Sequence, residues 1–330
     1  MKKIINNPDD FVNESIQGLV ISYPDIYKFS SETKKVLMRS NKSINKVGLV
    51  SGGGSGHLPL FTGYIGKGLL DSCAIGNVFA SPSVDEISTA IKSANSGKGV
   101  LCVYGNYGGD VMNFDMASEL LEMEDIKVDS IVVADDVASA SFEEKDKRRG
   151  VTGMLYVFKI TGAMAETGAD FDEVKRVGLK TNENIRTMGI ALTPTILPQA
   201  GKPTFEIGDD EMEIGMGIHG EPGIRRGQLK SADEITEELS EKLLGDINLS
   251  NGDKVSILVN SLGATPHEEL FIVANKFNSI LNNKGIINSK SYVGRYATSM
   301  EMSGMSISIL KLDDELEKLL LENANCPFWY

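Results

Sequence analysis

The chain is poor in the residues that most often announce a chemistry. Its 330 residues include three cysteines, three histidines and one tryptophan. Cys73, Cys102 and Cys326 are odd in number and lack metal-ligand spacing, and the first two lie in apolar strand contexts. They read as buried thiols of a reducing compartment, which excludes a disulfide framework and leaves no metal site. No apolar stretch approaches the length of a membrane span. The N-terminal run Met1-Lys2-Lys3-Ile4-Ile5-Asn6-Asn7-Pro8-Asp9-Asp10 lacks the apolar core of a signal peptide, so a cytoplasmic location is expected. Positive charge is scarce: 33 Lys and Arg face 46 Asp and Glu, for a formal net charge of −13 and a pI near 4.8. That balance argues against nucleic acid or an anionic membrane as partner. A P-loop, a G-x-G-x-x-G fingerprint and a nucleophile elbow are all missing, and no internal repeat or low-complexity segment is visible.

What the chain does have is glycine set beside histidine. In Glu211-Met212-Glu213-Ile214-Gly215-Met216-Gly217-Ile218-His219-Gly220, strict alternation puts Met212, Ile214, Met216 and Ile218 on one face of an expected strand and Glu213, Gly215, Gly217 and His219 on the other. Glycines inside a strand usually mark a close approach, so His219 is expected beside a side-chain-sized gap, with Gly220-Glu221-Pro222-Gly223 turning the chain behind it. The plain structural alternative is a histidine that caps a strand. His57 closes Ser51-Gly52-Gly53-Gly54-Ser55-Gly56-His57 directly after the apolar residues 47–50. Glycines at this density can turn backbone N–H groups inward as an anion-sized nest, and Pro59 suits the first turn of a following helix; a merely tight turn is the alternative. A third loop, Gly105-Asn106-Tyr107-Gly108-Gly109-Asp110, follows the buried-strand pattern of residues 100–104 and precedes a helix expected near Asn113. Asp110 is either an ordinary carboxylate at a helix N-terminus or a site residue. Gly-rich loops at the carboxyl ends of strands are where open α/β sheets bind ligands. Another strand over 128–133 leads to Asp135-Asp136, which read as solvated loop or cap residues rather than metal ligands.

These loops, with Gly63-Tyr64-Ile65-Gly66-Lys67-Gly68, Phe79-Ala80-Ser81-Pro82, Gly201-Lys202-Pro203-Thr204-Phe205, Asn260-Ser261-Leu262-Gly263-Ala264-Thr265-Pro266 and Tyr296-Ala297-Thr298-Ser299-Met300, occur in an order that resembles the substrate-binding subunit of dihydroxyacetone kinases over essentially the whole chain. The resemblance implies that His219 adds covalently to a ketone carbonyl as a hemiaminal while a terminal hydroxyl is phosphorylated. It implies that His57 and Asp110 hydrogen-bond the substrate and assist proton transfer, and that Gly54, Ser55, Gly56, Ser81 and Gly105 line the pocket. A neutral imidazole and a carboxylate suit those tasks. The nucleotide, ADP or ATP with Mg, is implied to sit on a separate all-helical domain or subunit, with no cofactor held by this chain. A chain of this length favours the split arrangement, in which a phosphotransfer-system protein fed from phosphoenolpyruvate recharges ADP; a homodimer is also expected. One departure stands out. Where the family commonly reads Lys-Asn-Tyr-Thr-Gly-Asp, Gly105 and Gly108 lack side chains. Either the pocket is larger, which admits a four-carbon ketose such as erythrulose, or positive φ is needed there. A ligand-sensing, non-catalytic coactivator is the competing class, and a fatty-acid-binding protein on a similar scaffold is a weaker one.

Helical and strand patterns alternate throughout, which predicts an α/β chain with room for two domains. Residues 1–185 read as a Rossmann-like domain with a parallel sheet, ending in a helix over 154–166 and one opened by the capping box Asp170-x-x-Glu173. Residues 186–330 read as an α+β domain, with strands over 190–193, 204–207, 211–218, 254–260, 289–297 and 305–312 and helices over 233–244 and 267–281. A closing helix over 313–323 is expected to return to the first domain. His57 and Asp110 fall in the first and His219 in the second, so the site is expected at their interface.

Overall fold

The computed structural model describes residues 2–42 and 44–329. Met1 and Tyr330, the ends on which the signal-peptide and split-chain expectations lean, lie outside the described residues, as does Ser43. Strands β1 (Tyr27–Phe29), β2 (Val36–Arg39), β3 (Gly48–Ser55), β4 (Ser72–Val78), β5 (Val100–Gly105) and β6 (Val128–Val133) form a six-stranded sheet in the order β1-β2-β4-β3-β5-β6. The run β4-β3-β5-β6 is parallel and β1 and β2 add an antiparallel edge. The central strands read as unbroken apolar runs because both faces are covered. Helices α2 (Val84–Ala94) and α3 (Gly108–Glu122) set Ile87, Ile91 and Phe114 against Val50, Val100 and Cys102. On the opposite face, α1 (Phe11–Ser22), α4 (Met154–Glu166) and α5 (Phe171–Glu183) join Leu49, Leu101, Val103 and Ile131 in a second cluster. Winding reverses between β3 and β5, and the loops that leave their carboxyl ends flank the crevice this creates.

Strands β7 (Ile185–Ala191), β8 (Glu211–Ile214), β9 (Arg225–Gln228), β10 (Lys254–Ser261), β11 (Ile287–Gly294) and β12 (Gly304–Leu312) form a second six-stranded sheet, ordered β11-β10-β12-β7-β8-β9. Only β10 and β11 pair in parallel. Period-two alternation decides its faces. Val255, Ile257, Ile307 and Ile309 meet α6 (Ala232–Asp246) and α7 (His267–Asn283), while Ser256, Leu258, Ser306 and Leu310 turn toward α4. Residues 154–163 of α4 are therefore all buried, between two sheets. The last helix, α8 (Asp314–Leu321), lies on α4, where Lys159 donates to the Leu319 carbonyl at 2.8 Å. Among the described residues no helix is long and apolar enough to cross a membrane.

Several local expectations fail for identifiable reasons. The strand expected over 211–218 stops at Ile214 because Gly215 adopts φ +77°. No strand forms over 204–207; one isolated bridge pairs Ile196 with Pro203 nearby. The strand expected over 190–193 runs Ile185–Ala191 along β12, and the polar edge strand β9, with no apolar alternation, went unread. No α-helix follows His57: Leu58–Pro59 is cis and only a short 3-10 turn, Thr62–Tyr64, comes before β4. Helix α3 starts at Gly108, not near Asn113. Asp170 caps α5 through the Glu173 N–H at 2.9 Å, but the Glu173 carboxylate is taken by Arg176, so half of the capping box forms.

Asp246, at the end of α6, accepts from both terminal nitrogens of Arg148 at 2.8 and 2.6 Å and from Nε of Arg186 at 2.5 Å. Burial raises its carboxyl, but the two guanidiniums outweigh burial and hold it below the usual range. A folded-state pKa below the unfolded one gives stability that is present above the unfolded value and lost as pH falls through the folded value. Asp246→Asn leaves Arg148, only 1% exposed, without its counter-ion. It should cost about 3–5 kcal/mol in urea denaturation at pH 7, a gap that closes at acid pH. Equal stability at pH 7 would show the cluster to be idle.

Candidate active site

Strand β3 continues through Ser55, so Gly52 and Gly53 are ladder residues, Gly54 sits at the register shift between Gly53 and Ser55, and the run is extended strand rather than an anion nest. They are glycines because neighbours stand where side chains would go: a Cβ at Gly53 would lie 2.3 Å from the Phe61 ring and one at Gly54 2.7 Å from the Ala80 nitrogen. Gly56, at φ +105°, then reverses the chain and delivers His57 to the segment 296–300 that joins β11 to β12. There His57 Nδ1 lies 2.7 Å from the Thr298 carbonyl, Thr298 Oγ1 donates to the Leu58 carbonyl at 3.0 Å, and the Met300 N–H donates to the Gly56 carbonyl at 2.8 Å. A carbonyl only accepts, so the ring proton sits on Nδ1 and Nε2 carries the lone pair. That Nε2 is buried without a protein partner. Phe79 stacks on the ring at 4.9 Å and 14° while holding φ +55°, an expensive value for a bulky residue. Burial, with help from His219, pushes the His57 imidazolium down to about 3, so the ring is neutral at physiological pH.

His219 does not ride a strand; the loop after β8 carries it. Its ring centroid lies 4.8 Å from that of His57, 4.9 Å from Tyr107 and 5.2 Å from Phe79. Glu221 Oε1 sits 2.7 Å from His219 Nδ1 and Oε2 sits 2.5 Å from the His219 backbone nitrogen. The glycines of this run serve the loop and not a bare strand face. Gly215 turns the chain, and a Cβ at Gly217 would fall 2.0 Å from Glu221 Oε2 and 2.5 Å from Arg149 Nη1. Arg149 in turn pairs with Asp136 at 2.7 Å and donates to the Gly215 carbonyl at 2.8 Å. Burial raises the Glu221 carboxyl, but the hydrogen bond from His219 and the charge of Arg149 prevail, and the group stays ionised.

Asp110 lies in the first turn of α3, 9% exposed, with Oδ1 buried and lacking a protein partner. Burial raises its carboxyl against the opposing pull of the Ser81 hydroxyl and of His219. The structure thus gathers His57, His219, Asp110 and Ser81 into one neighbourhood, walled by Phe79 and Tyr107. The other expected lining residues take lesser positions. Ser55 Oγ is spent on the Gly76 carbonyl at 2.8 Å, Gly54 backs onto Phe79 and Ala80, and Gly105 is buried behind the Tyr107 ring. Neither Gly105 nor Gly108 has positive φ. Space at Gly108 is open, while a Cβ at Gly105 would stand 3.1 Å from the Tyr107 ring.

Sequence reasoning missed Glu221, whose signal is its place two residues after His219, and it misread Asp135 and Asp136. Both are buried: Asp135 accepts the Val151 and Gly153 N–H groups at 2.7 and 2.8 Å, and Asp136 holds Arg149. No group of His, Cys, Asp and Glu among the described residues could hold a metal ion. A cavity of about 810 Å³ opens between the 53–57 segment and α1 and is lined by neither His219 nor Asp110. Unpartnered polar atoms, rather than volume, therefore mark the reactive pocket.

Fold and site together define a two-sheet α/β protein with paired imidazoles at a sheet switch point. Residues 17–328 match the Dak1 domain, and the chain belongs to that family. It is 47% identical over 315 residues to the PTS-dependent dihydroxyacetone kinase 1, dihydroxyacetone-binding subunit DhaK, of Listeria innocua, covering 96% of this chain and 95% of that one. It is 40% identical over 332 residues to the L-erythrulose 1-kinase of Mycolicibacterium smegmatis, covering 99% of this chain and 58% of that longer protein. Of solved structures, the dihydroxyacetone kinase of C. freundii in complex with AMP-PNP and Mg2+ superposes with a TM-score of 0.90 at 30% identity, over 99% of this chain and 60% of that one. The dihydroxyacetone kinase operon co-activator Dha-DhaQ superposes with a TM-score of 0.88 at 33% identity, over 94% and 96%.

A buried histidine held near a pKa of 3 leaves the unfolded state binding the extra proton between that value and about 6.5. Stability in that window should rise with pH by about 1.4 kcal/mol per unit for this group. Urea titrations between pH 4 and 6 should give a steeper pH slope for the wild type than for His57→Asn. Equal slopes would mean that His57 protonates without penalty.

Proposed function

We propose that this chain is the ketose-binding, catalytic subunit of a dihydroxyacetone kinase, in which His219 holds the substrate as a hemiaminal during phosphoryl transfer to a terminal hydroxyl. One observation carries the reading: His219, its Nδ1 engaged by Glu221, stands beside two buried acceptors that no protein group satisfies, His57 Nε2 and Asp110 Oδ1. A neutral imidazole attacks a carbonyl well. His57, neutral and with its lone pair on Nε2, accepts a hydrogen bond from a substrate hydroxyl, and Asp110 receives the hydroxyl proton as the phosphoryl group arrives. Gly56 and Ser81 border the ligand, with Gly54, Ser55 and Gly105 supporting them from behind. Discrimination against polyols follows, since a molecule without a carbonyl gives His219 nothing to attack.

The chain carries no nucleotide-phosphate motif, and the donor, ADP or ATP with Mg, belongs on a helical partner, recharged through a phosphotransfer protein as in a PTS-dependent kinase like that of the Listeria relative. The reading includes a division into units 1–185 and 186–330, a homodimer and a cytoplasmic location. Erythrulose is the second substrate reading, favoured by the 40% identity over 99% of this chain to an L-erythrulose 1-kinase.

Incubation with dihydroxyacetone should add the ketose mass to the wild type and not to His219→Ala, which should lose turnover with the helical partner while keeping its melting temperature. Asp110→Asn should form the adduct and lose ~10²-fold or more in kcat with little change in KM. Adduct without turnover in the wild type, across ATP and phosphoenolpyruvate systems, would instead identify a sensing coactivator.

Ketose choice should respond to the 105–110 loop. Gly105→Lys with Gly108→Thr should lower kcat/KM for erythrulose relative to dihydroxyacetone by ~10- to 100-fold, most of it through displacement of Tyr107. An unchanged preference in a well-folded double variant removes the loop from substrate selection.

A further inference from the structure

We propose that Glu221 is the positioning residue that makes His219 a nucleophile, by fixing its proton on Nδ1 and by facing the positive charge that appears on the ring when it adds to a carbonyl. The inference rests on the covalent reading above and names a residue outside the expected catalytic set. The carboxylate grips His219 twice, at Nδ1 through Oε1 (2.7 Å) and at the backbone N–H through Oε2 (2.5 Å). Two contacts to one residue fix the direction of the imidazole as well as its tautomer. An ionised carboxylate can only accept, so Nδ1 donates, and in the neutral ring this leaves the lone pair on Nε2.

The surroundings preserve this arrangement. The missing side chain at Gly217 gives the carboxylate its place, and Arg149 Nη1 borders the same space. Arg149 is itself paired with Asp136 at 2.7 Å and anchored on the Gly215 carbonyl at 2.8 Å. Asp136 thus offsets the guanidinium, leaving the charge of Glu221 available to His219. In the addition, Nε2 forms a bond to the carbonyl carbon, the C=O π pair moves to oxygen, and that oxygen takes up one proton from water. Nδ1 retains its own proton, so the ring becomes an N-substituted imidazolium and Glu221 its counter-ion. Departure of the product reverses each transfer.

The experiment combines 15N NMR of the His219 ring in the ligand-free protein with the population of ketose adduct by native mass spectrometry, using dihydroxyacetone and erythrulose as probes. The wild type should show a protonated Nδ1 and a bare Nε2. Glu221→Ala should lose that single tautomer and reduce the adduct by on the order of 10²–10⁴-fold, the scale seen when a catalytic histidine loses its carboxylate. Glu221→Gln keeps an acceptor for Nδ1 and removes the charge; it should keep the tautomer and form ~10-fold less adduct. Gly217→Ala, which pushes the carboxylate aside, should behave as Glu221→Ala. An unchanged tautomer and adduct in Glu221→Ala would overturn the proposal, as would full adduct in Glu221→Gln should the alanine variant fail to fold. The two readings fail separately: a wild type that captures neither ketose ends the covalent reading, while the ligand-free tautomer still decides what Glu221 does to the ring.

Discussion

A helix with no polar side must be covered on every side, and α4 imposes that requirement on the whole molecule. The first sheet covers it with Leu49, Leu101 and Val103, the second with Leu258 and Leu310. Burying side chains such as Leu155 and Phe158 contributes about 1.5–3 kcal/mol each, so the two sheets cannot part without losing far more than any loop contact provides. Polar atoms along this seam are matched in pairs: Thr152 with Ser306 and Tyr156 with Ser256, each at 3.0 Å. A sheet that slid along α4 would strand these hydroxyls. The relative placement of the sheets is therefore set by the core, and the loops inherit it.

From that placement the site follows. Asn260, at the end of β10, donates to the Ala297 carbonyl at 2.7 Å and accepts from the N–H groups of Tyr296 and Ala297 at 2.8 and 2.9 Å. This pins the segment whose Thr298 carbonyl orients His57. The two imidazoles are held at Nδ1 by different means, a neutral carbonyl for His57 and a carboxylate for His219. His57 lies against that carbonyl and the Phe79 ring, whereas His219 has an anion behind it.

Much of this was legible because local pattern and tertiary role agreed. The apolar runs of β5, β6, β10 and β12, the alternation of Val255 and Ile257, and the buried helix α4 appear where their sequences put them. The convergence of the loops around His57, Asp110 and His219 was signalled by glycine density beside rare polar residues. What glycine does there was not. Gly53 and Gly54 looked like a nest, but their missing side chains admit Phe61 and the residues after β4. Gly217 looked like a gap on a strand and instead admits the carboxylate of Glu221. Composition cannot distinguish a glycine that bends the chain from one that yields space to a residue far along it, since only the folded neighbourhood contains the intruder. The same holds for Asp135 and Asp136, which look solvated in sequence and are buried by α4 and Arg149.

The hydrogen bond from His57 to Thr298 also orders events during synthesis. Its acceptor is supplied by the segment between β11 and β12, near the end of the chain, and the loop bearing His219 belongs to a sheet in which β12 is the central link between β10 and β7. A nascent chain that has emerged as far as His219 has neither the partner that fixes one imidazole nor the strand that anchors the sheet behind the other. On the covalent reading proposed above, the nucleophile therefore belongs to the finished fold and to no truncated or half-made product.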